Sequence, residues 1–172
     1  MSEVAPILAL LDRAHQGLAA ACAEIPPARW KTPPPRGGWS ASEVLAHLTM
    51  VETAVWNGAR EALAQKPGRQ PLRKRLHIPP SFAQWRLLKR KSPLPLDAAF
   101  VLSREESLSS FAAARNRTLQ FIAEVGARDL RPFRRSHPFL GSLDLYDWLR
   151  LLAYHEIRHT KQLREIGKYF QS

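Results

Sequence analysis

The chain has 172 residues, 45% of them hydrophobic, which suits one globular domain over residues 1–172. No stretch is apolar for long enough to cross a bilayer, and the N-terminus lacks the basic start of a signal peptide, so we expect a cytoplasmic, non-membrane protein. Because the chain has a single cysteine, we expect no internal disulfide. The formal net charge of +11 favours an anionic partner, although a genome rich in Ala, Pro and Arg codons would produce the same excess.

Two amphipathic helices are predicted in the first third of the chain. Helix 1 is predicted over residues 2–25, where apolar residues recur every three or four positions and His15 falls on the same stripe. The predicted stripe is Val4, Leu8, Leu11, Leu18, Cys22 and Ile25. After a proline-rich linker, helix 2 is predicted to begin at a capping box of Ser40 and Glu43 and to run to about residue 65.

A long basic connection follows, with nine Lys and Arg residues and no acid between Lys66 and Lys91. A short helix is predicted near residues 82–89. A connection of this length can cross the whole bundle, so helices 2 and 3 need not be antiparallel. Helix 3 is predicted to begin at a second capping box, Ser103 with Glu106, and to run to about residue 125. Its predicted inward residues are Leu108, Phe111, Leu119 and Ile122.

Residues 127–142 are predicted to be irregular, and helix 4 is predicted over residues 143–169. No segment shows a strand pattern of comparable strength. The predicted fold class is therefore all-α, a four-helix bundle with a long basic crossover connection between helices 2 and 3.

Helix 4 contains the motif HEIRH, in which His155 and His159 lie one turn apart on one helical face. Both continue the predicted inward stripe, which is Leu145, Trp148, Leu152, His155, His159, Leu163 and Ile166. Two buried imidazoles need polar partners, and a shared divalent metal would satisfy both. A third ligand could come from His15 or His47, and the spacing favours His47 slightly. His77 and His137 are interpreted as surface residues.

Two segments resemble the DinB/YfiT-like superfamily: GGWSASEVLAHL at residues 37–48 and SHPFLGSLDLYDWLRLLAYHEIRHTKQL at residues 136–163. Together they carry W-S-x-x-E-x-x-x-H and H-E-x-R-H-x-x-Q. The resemblance implies a four-helix bundle, frequently dimeric, with a zinc or nickel site whose ligands are His47, His155 and His159. Beside those ligands, Glu43 and Gln162 are second-shell candidates, and the capping box already explains Glu43.

The resemblance also implies the chemistry of the site. Some relatives are S-transferases that depend on a low-molecular-weight thiol, so activation of a thiol on the metal is expected, with Arg134 and Arg135 as candidates for binding its carboxylates. Activation of water in a metal-dependent hydrolase is the alternative. No convincing general base supports it.

Two other functions are compatible with parts of the sequence. HEIRH also fits the zincin motif of metalloproteases, but no third ligand follows His159, since Gln162 and Glu165 stand where a metzincin has Gly and His. A nucleic-acid-binding protein with a structural metal would use the basic segment 66–91, in which Phe82 and Trp85 could stack on bases. Three histidines leave a coordination position open, which is typical of a catalytic metal and favours a small-molecule substrate.

Overall fold

The computed structural model describes residues 3–35, 37–66, 77–84 and 101–171. Four helices make up most of this part: α1 (Val4–Ala23), α2 (Ala41–Ala64), α3 (Arg104–Val125) and α4 (Leu145–Gln171). The predicted all-α four-helix bundle is confirmed. The described residues contain no helix that is long and apolar enough to cross a membrane.

Both predicted capping boxes are present, and they explain where α2 and α3 begin. The Ser40 side chain accepts from the backbone N–H of Glu43, while the Glu43 carboxylate accepts from the backbone N–H of Ser40 at 2.7 Å. Ser103 and Glu106 repeat the arrangement at α3. Gly126 ends α3 with φ of +52°, a conformation that side chains with a Cβ rarely adopt.

Contacts along the bundle show that α2 and α3 are parallel. Ser42 donates to the backbone oxygen of Leu102 at their first residues, and Arg60 pairs with Glu124 near their ends. α1 and α4 are also parallel, since Gly17 faces Thr160 and the Gln171 side chain donates to the backbone oxygen of Glu24. α2 and α4 are antiparallel neighbours. The long connection therefore does cross the bundle, as its length allows.

The segment before α4 corrects the sequence prediction. Residues 127–142 were expected to be irregular, yet β1 (Arg134–His137) and β2 (Gly141–Asp144) form an antiparallel hairpin that pairs Arg134 with Asp144 and His137 with Gly141. Each strand has only four residues, too few to show a period of two against a polar background. Because β2 extends to Asp144, α4 begins at Leu145, two residues later than predicted.

The short helix predicted over residues 82–89 is represented by a 3-10 helix at Pro80–Gln84, which packs on α4. Residues 85–89 lie outside the described part, and Trp85 is among them. Of the nine Lys and Arg residues from Lys66 to Lys91, the structure describes only Lys66. Phe82 is described and exposed.

Two predicted stripes need correction. In α1, Leu8 and His15 are exposed, and the buried face is instead formed by Ile7, Leu11, Ala14, Leu18, Ala21 and Cys22. In α3, Leu119 is exposed, whereas the polar residues Arg115 and Thr118 are buried. The spacing of apolar residues does not identify the buried face of α3, because that face includes charged and hydroxyl side chains.

Candidate metal centre

Three histidines meet where α2 and α4 pass each other. His47 lies two turns after the Ser40 cap, so the capping box sets its position along α2. His155 and His159 lie one turn apart on α4. The predicted inward orientation is confirmed for His159, which is only 6% exposed, whereas His155 is partly buried. His47 is also only 6% exposed.

The ring nitrogens of these histidines converge on one point. Nε2 of His155 lies 3.2 Å from Nε2 of His47 and 3.2 Å from Nε2 of His159. One nitrogen from each of the three residues lies within 4.8 Å of the others. Two imidazoles bound tetrahedrally at a zinc–nitrogen distance of about 2.05 Å would place their nitrogens about 3.3 Å apart. The observed spacing fits a shared metal ion.

Hydrogen bonding alone satisfies this arrangement poorly. A proton on Nε2 of His155 could at most be shared between its two neighbours, because each ring nitrogen carries either one proton or one lone pair. Nδ1 of His47 and Nδ1 of His155 are buried with no hydrogen-bond partner in the described part of the chain. A metal at Nε2 would leave these Nδ1 atoms as they are, but three Nε2 lone pairs that face one another repel unless a cation lies between them. The three Nε2 atoms therefore fit a divalent cation.

Burial and the neighbouring side chains keep the rings of His47 and His155 neutral. Burial lowers the pKa of His47 to about 4. Burial, followed by the neighbouring rings of His159 and His47, lowers the pKa of His155 well below its ordinary value. At neutral pH both rings therefore offer a lone pair rather than a second proton, which is the form that binds metal.

Gln162 contacts the cluster from α4. Its side-chain oxygen accepts from Nδ1 of His159 at 3.0 Å. A proton held at Nδ1 leaves the lone pair at Nε2, the atom that faces the other histidines. Gln162 thus contacts His159 from outside the three-histidine set and orients its ring.

Glu43 shows no comparable contact. One of its carboxylate oxygens binds both the backbone N–H and the hydroxyl of Ser40, each at 2.7 Å. Because Nδ1 of His47 has no hydrogen-bond partner among the described residues, the structure shows no hydrogen bond from that nitrogen to Glu43. The described contacts of Glu43 are those of a helix cap.

Trp39 is a residue of the site that the sequence analysis missed. Its ring lies 4.9 Å from the ring of His47 and stacks on His159 at 6.0 Å, between centroids. Its place in W-S-x-x-E-x-x-x-H, eight residues before His47, was the available signal. The indole shields one side of the histidines from water.

The other histidines are placed away from the cluster's nitrogens. The side chain of His15 is 46% exposed, and its Nδ1 lies 3.6 Å from the Glu156 carboxylate. His77 pairs with Asp147 at 3.1 Å. His137 ends β1, and its Nδ1 accepts from the backbone N–H groups of Phe139 and Leu140. His15 thus lies apart from the three-histidine cluster that contains His47.

Arg134 and Arg135, considered for binding a thiol's carboxylates, are engaged elsewhere. Arg134 contacts Asp144 and the backbone oxygen of Ser142. Arg135 lies against Gly58 and within 3.9 Å of Glu61, over the ring of Trp148. None of these contacts involves the three histidines.

Glu156 is turned away from the histidines, as its position in HEIRH predicts. Its carboxylate binds Arg115 of α3 at 2.8 Å, and Arg115 also binds Glu52 of α2 at 2.8 Å. A zincin needs this glutamate at the metal as general base, so the geometry contradicts the metalloprotease interpretation. No sequence pattern predicts this ion-paired cluster, because its members come from three different helices.

Comparison with known proteins agrees with this architecture. The chain is 29% identical over 131 residues to the uncharacterized protein YuaE of Bacillus subtilis (strain 168). This alignment covers 74% of this chain and 76% of the relative. A solved structure described as TT2238, a four-helix bundle protein, superposes with a TM-score of 0.61 at 24% identity, over 92% of this chain and 95% of that one. That likeness concerns the fold alone. The sequence model of the DinB superfamily matches residues 10–163. The chain therefore belongs to the DinB superfamily.

Proposed function

We propose that His47, His155 and His159 bind one divalent metal ion, zinc or nickel, in a metal-dependent enzyme that acts on a small molecule. The observation that carries this proposal is the convergence of the three Nε2 atoms inside the bundle, where Nε2 of His155 lies 3.2 Å from Nε2 of His47 and from Nε2 of His159. Three imidazoles suit both metals, and geometry does not separate them.

The residues of the chain would hold and shield such an ion. The three Nε2 atoms supply neutral ligands, Gln162 keeps the proton of His159 on its far nitrogen, and Trp39 covers one side. Three protein ligands leave at least one position open for an exogenous molecule. A bound metal would supply Lewis acidity, which lowers the pKa of a ligated thiol or water.

A low-molecular-weight thiol is the co-substrate that we propose, in an S-transferase type of reaction. The support is twofold: the family resemblance, and the absence of a carboxylate general base from the contacts described around the histidines. Glu156 is held by Arg115 and Glu43 by Ser40. A hydrolase would need such a base to activate water efficiently, so hydrolysis is the second candidate.

Metal content is the first test. We expect near-stoichiometric metal, measured by mass spectrometry, in the protein purified without a histidine tag, and its loss in His47→Ala, His155→Ala and His159→Ala. His77→Ala is the matched control, since this histidine pairs with Asp147. A parent that stays empty after incubation with zinc and with nickel, or a His47→Ala variant that binds as the parent does, would refute the three-histidine site.

The choice between thiol and water has its own test. Cobalt-loaded protein should develop a thiolate-to-metal absorption band when cysteine or 2-mercaptoethanol is added, because the open position accepts the sulfur. The His155→Ala variant should show no band. If the parent shows none with either thiol yet binds cobalt stoichiometrically, the thiol proposal fails and the hydrolase remains.

A further inference from the structure

Behind the histidines lies a buried ionic cluster that joins three helices. Nε of Arg115 donates to Glu52 at 2.8 Å, and its Nη2 donates to Glu156 at 2.8 Å and to Glu52 at 3.2 Å. Arg115 belongs to α3, Glu52 to α2 and Glu156 to α4. Nη1 of Arg115 also donates to the backbone oxygen of Leu11 in α1 at 3.4 Å, so a single guanidinium connects all four helices.

All three side chains are removed from solvent: Glu52 is 2% exposed, Glu156 1% and Arg115 6%. Burial opposes the charge of Arg115, but the carboxylates of Glu52 and Glu156 outweigh it and raise the pKa of the guanidinium. The forked donors of arginine hold two carboxylates in a defined geometry, which a lysine could not reproduce.

The cluster is connected directly to the histidine-bearing segments. Glu156 follows His155 in the chain, and Glu52 lies five residues after His47 on α2. α3 contributes no histidine to the site, yet its Arg115 binds both of the helices that do. Any sliding of α2 along α4 would stretch the two arms of the cluster and separate Nε2 of His47 from Nε2 of His155.

We infer that Arg115, with Glu52 and Glu156 as its two arms, is a positioning residue for the histidine centre, which sets the distance between the α2 ligand and the α4 ligands. This inference rests on the proposed metal site and deepens it. Metal–ligand distances tolerate only about 0.2 Å of error, so a small displacement of one helix removes a ligand from range. Supporting residues outside the ligand set commonly change metal affinity about 10–100-fold.

The test compares Arg115→Met with a core variant that does not touch the cluster. Ile7→Ala removes a buried side chain of α1 and should destabilise the fold without separating α2 from α4. Zinc affinity is measured by chelator competition at a temperature at which both variants are fully folded by circular dichroism. We expect Arg115→Met to bind zinc at least tenfold more weakly than the parent, and Ile7→Ala to bind within twofold of it.

Amide hydrogen exchange of the metal-free proteins provides a readout that does not depend on metal. Arg115→Met should exchange faster around residue 52 of α2 and residue 156 of α4 together, because both lose one anchor. Where Arg115→Met does not fold, Glu52→Gln keeps the side-chain shape and weakens one arm, and the same two measurements apply with a smaller expected change.

The outcomes separate the two proposals. A folded Arg115→Met variant that binds zinc within twofold of the parent would overturn the positioning role while leaving the metal site intact. If the parent binds neither zinc nor nickel, the metal proposal fails, and hydrogen exchange alone then decides the positioning claim. Unchanged exchange in both α2 and α4 would overturn it.

Discussion

At the scale of single residues, the contact between Gln162 and His159 decides which nitrogen of that histidine can bind metal. The amide oxygen can only accept, so Nδ1 of His159 carries the proton and Nε2 keeps its lone pair. His47 and His155 have no such partner at Nδ1 among the described residues. Among the three histidines, His159 is therefore the one whose tautomer is set by a described hydrogen bond.

Gln162→Ala should weaken metal binding about 10–100-fold, because the ring of His159 loses the contact that fixes its tautomer and orientation. The dissociation constant for zinc, measured by chelator competition, tests this. Gln171→Ala on the same helix is the matched control, since that glutamine binds the backbone of Glu24. Equal affinities in the two variants would contradict a supporting role for Gln162.

Burial of Cys22 suppresses the reactivity of its thiol. Burial raises the pKa of its thiol from 9.0 to about 12. Between these values the folded protein keeps the proton while the unfolded chain releases it, so stability should fall as pH rises through this window. At pH 9 we expect alkylation of Cys22 by iodoacetamide to be at least about a hundredfold slower in the folded protein than in denaturant. Equal rates would contradict the burial.

At the scale of the elements, the capping boxes define the first turns of α2 and α3 and so the position of every residue after them. The box at α3 is exposed, which makes its energetic role separable from packing. The box at α2 also sets the position of His47 and of the neighbouring Trp39.

Ser103→Ala should lower the free energy of unfolding by about 1 kcal/mol, because the N–H of Glu106 loses its acceptor at the start of α3. Urea unfolding followed by circular dichroism measures the change. Ser109→Ala, at an exposed position within the same helix, is the control and should cost nothing, since alanine is the better helix former. A loss of equal size in both variants would argue against the cap.

At the scale of the whole molecule, the histidine centre joins helices that are far apart in sequence. A metal bound there would stabilise only the folded chain, because the unfolded chain does not hold His47 beside His155. Free metal at a hundred times the dissociation constant adds about 2.7 kcal/mol to the free energy of unfolding.

Chelation of the metal should therefore lower the melting temperature by about 5–10 °C for a chain of this size. Differential scanning fluorimetry with and without EDTA measures the shift. The His155→Ala variant should melt at the same temperature in both conditions. If EDTA leaves the melting temperature of the parent unchanged although metal analysis finds the ion, the ion does not stabilise the fold and the expectation is wrong.

Much of this organisation follows from residues that are close together in the chain. The capping boxes at Ser40 and Ser103 and the one-turn spacing of His155 and His159 depend only on backbone hydrogen bonds within a helix. They could be predicted without tertiary contacts. The third ligand could not: spacing separated His47 from His15 only slightly, and the family resemblance supplied the rest.

What the sequence by itself determined is thus the four helices, the starts of α2 and α3, and the histidine pair of α4. The tertiary structure alone decided that His15 faces solvent, that Trp39 covers the histidines, that residues 134–144 form a hairpin and that Arg115 joins α2 to α4. The physical reason is the range of the forces involved. Caps and helical periodicity act over a few residues, whereas the neighbours of a buried charge or imidazole depend on how distant helices pack.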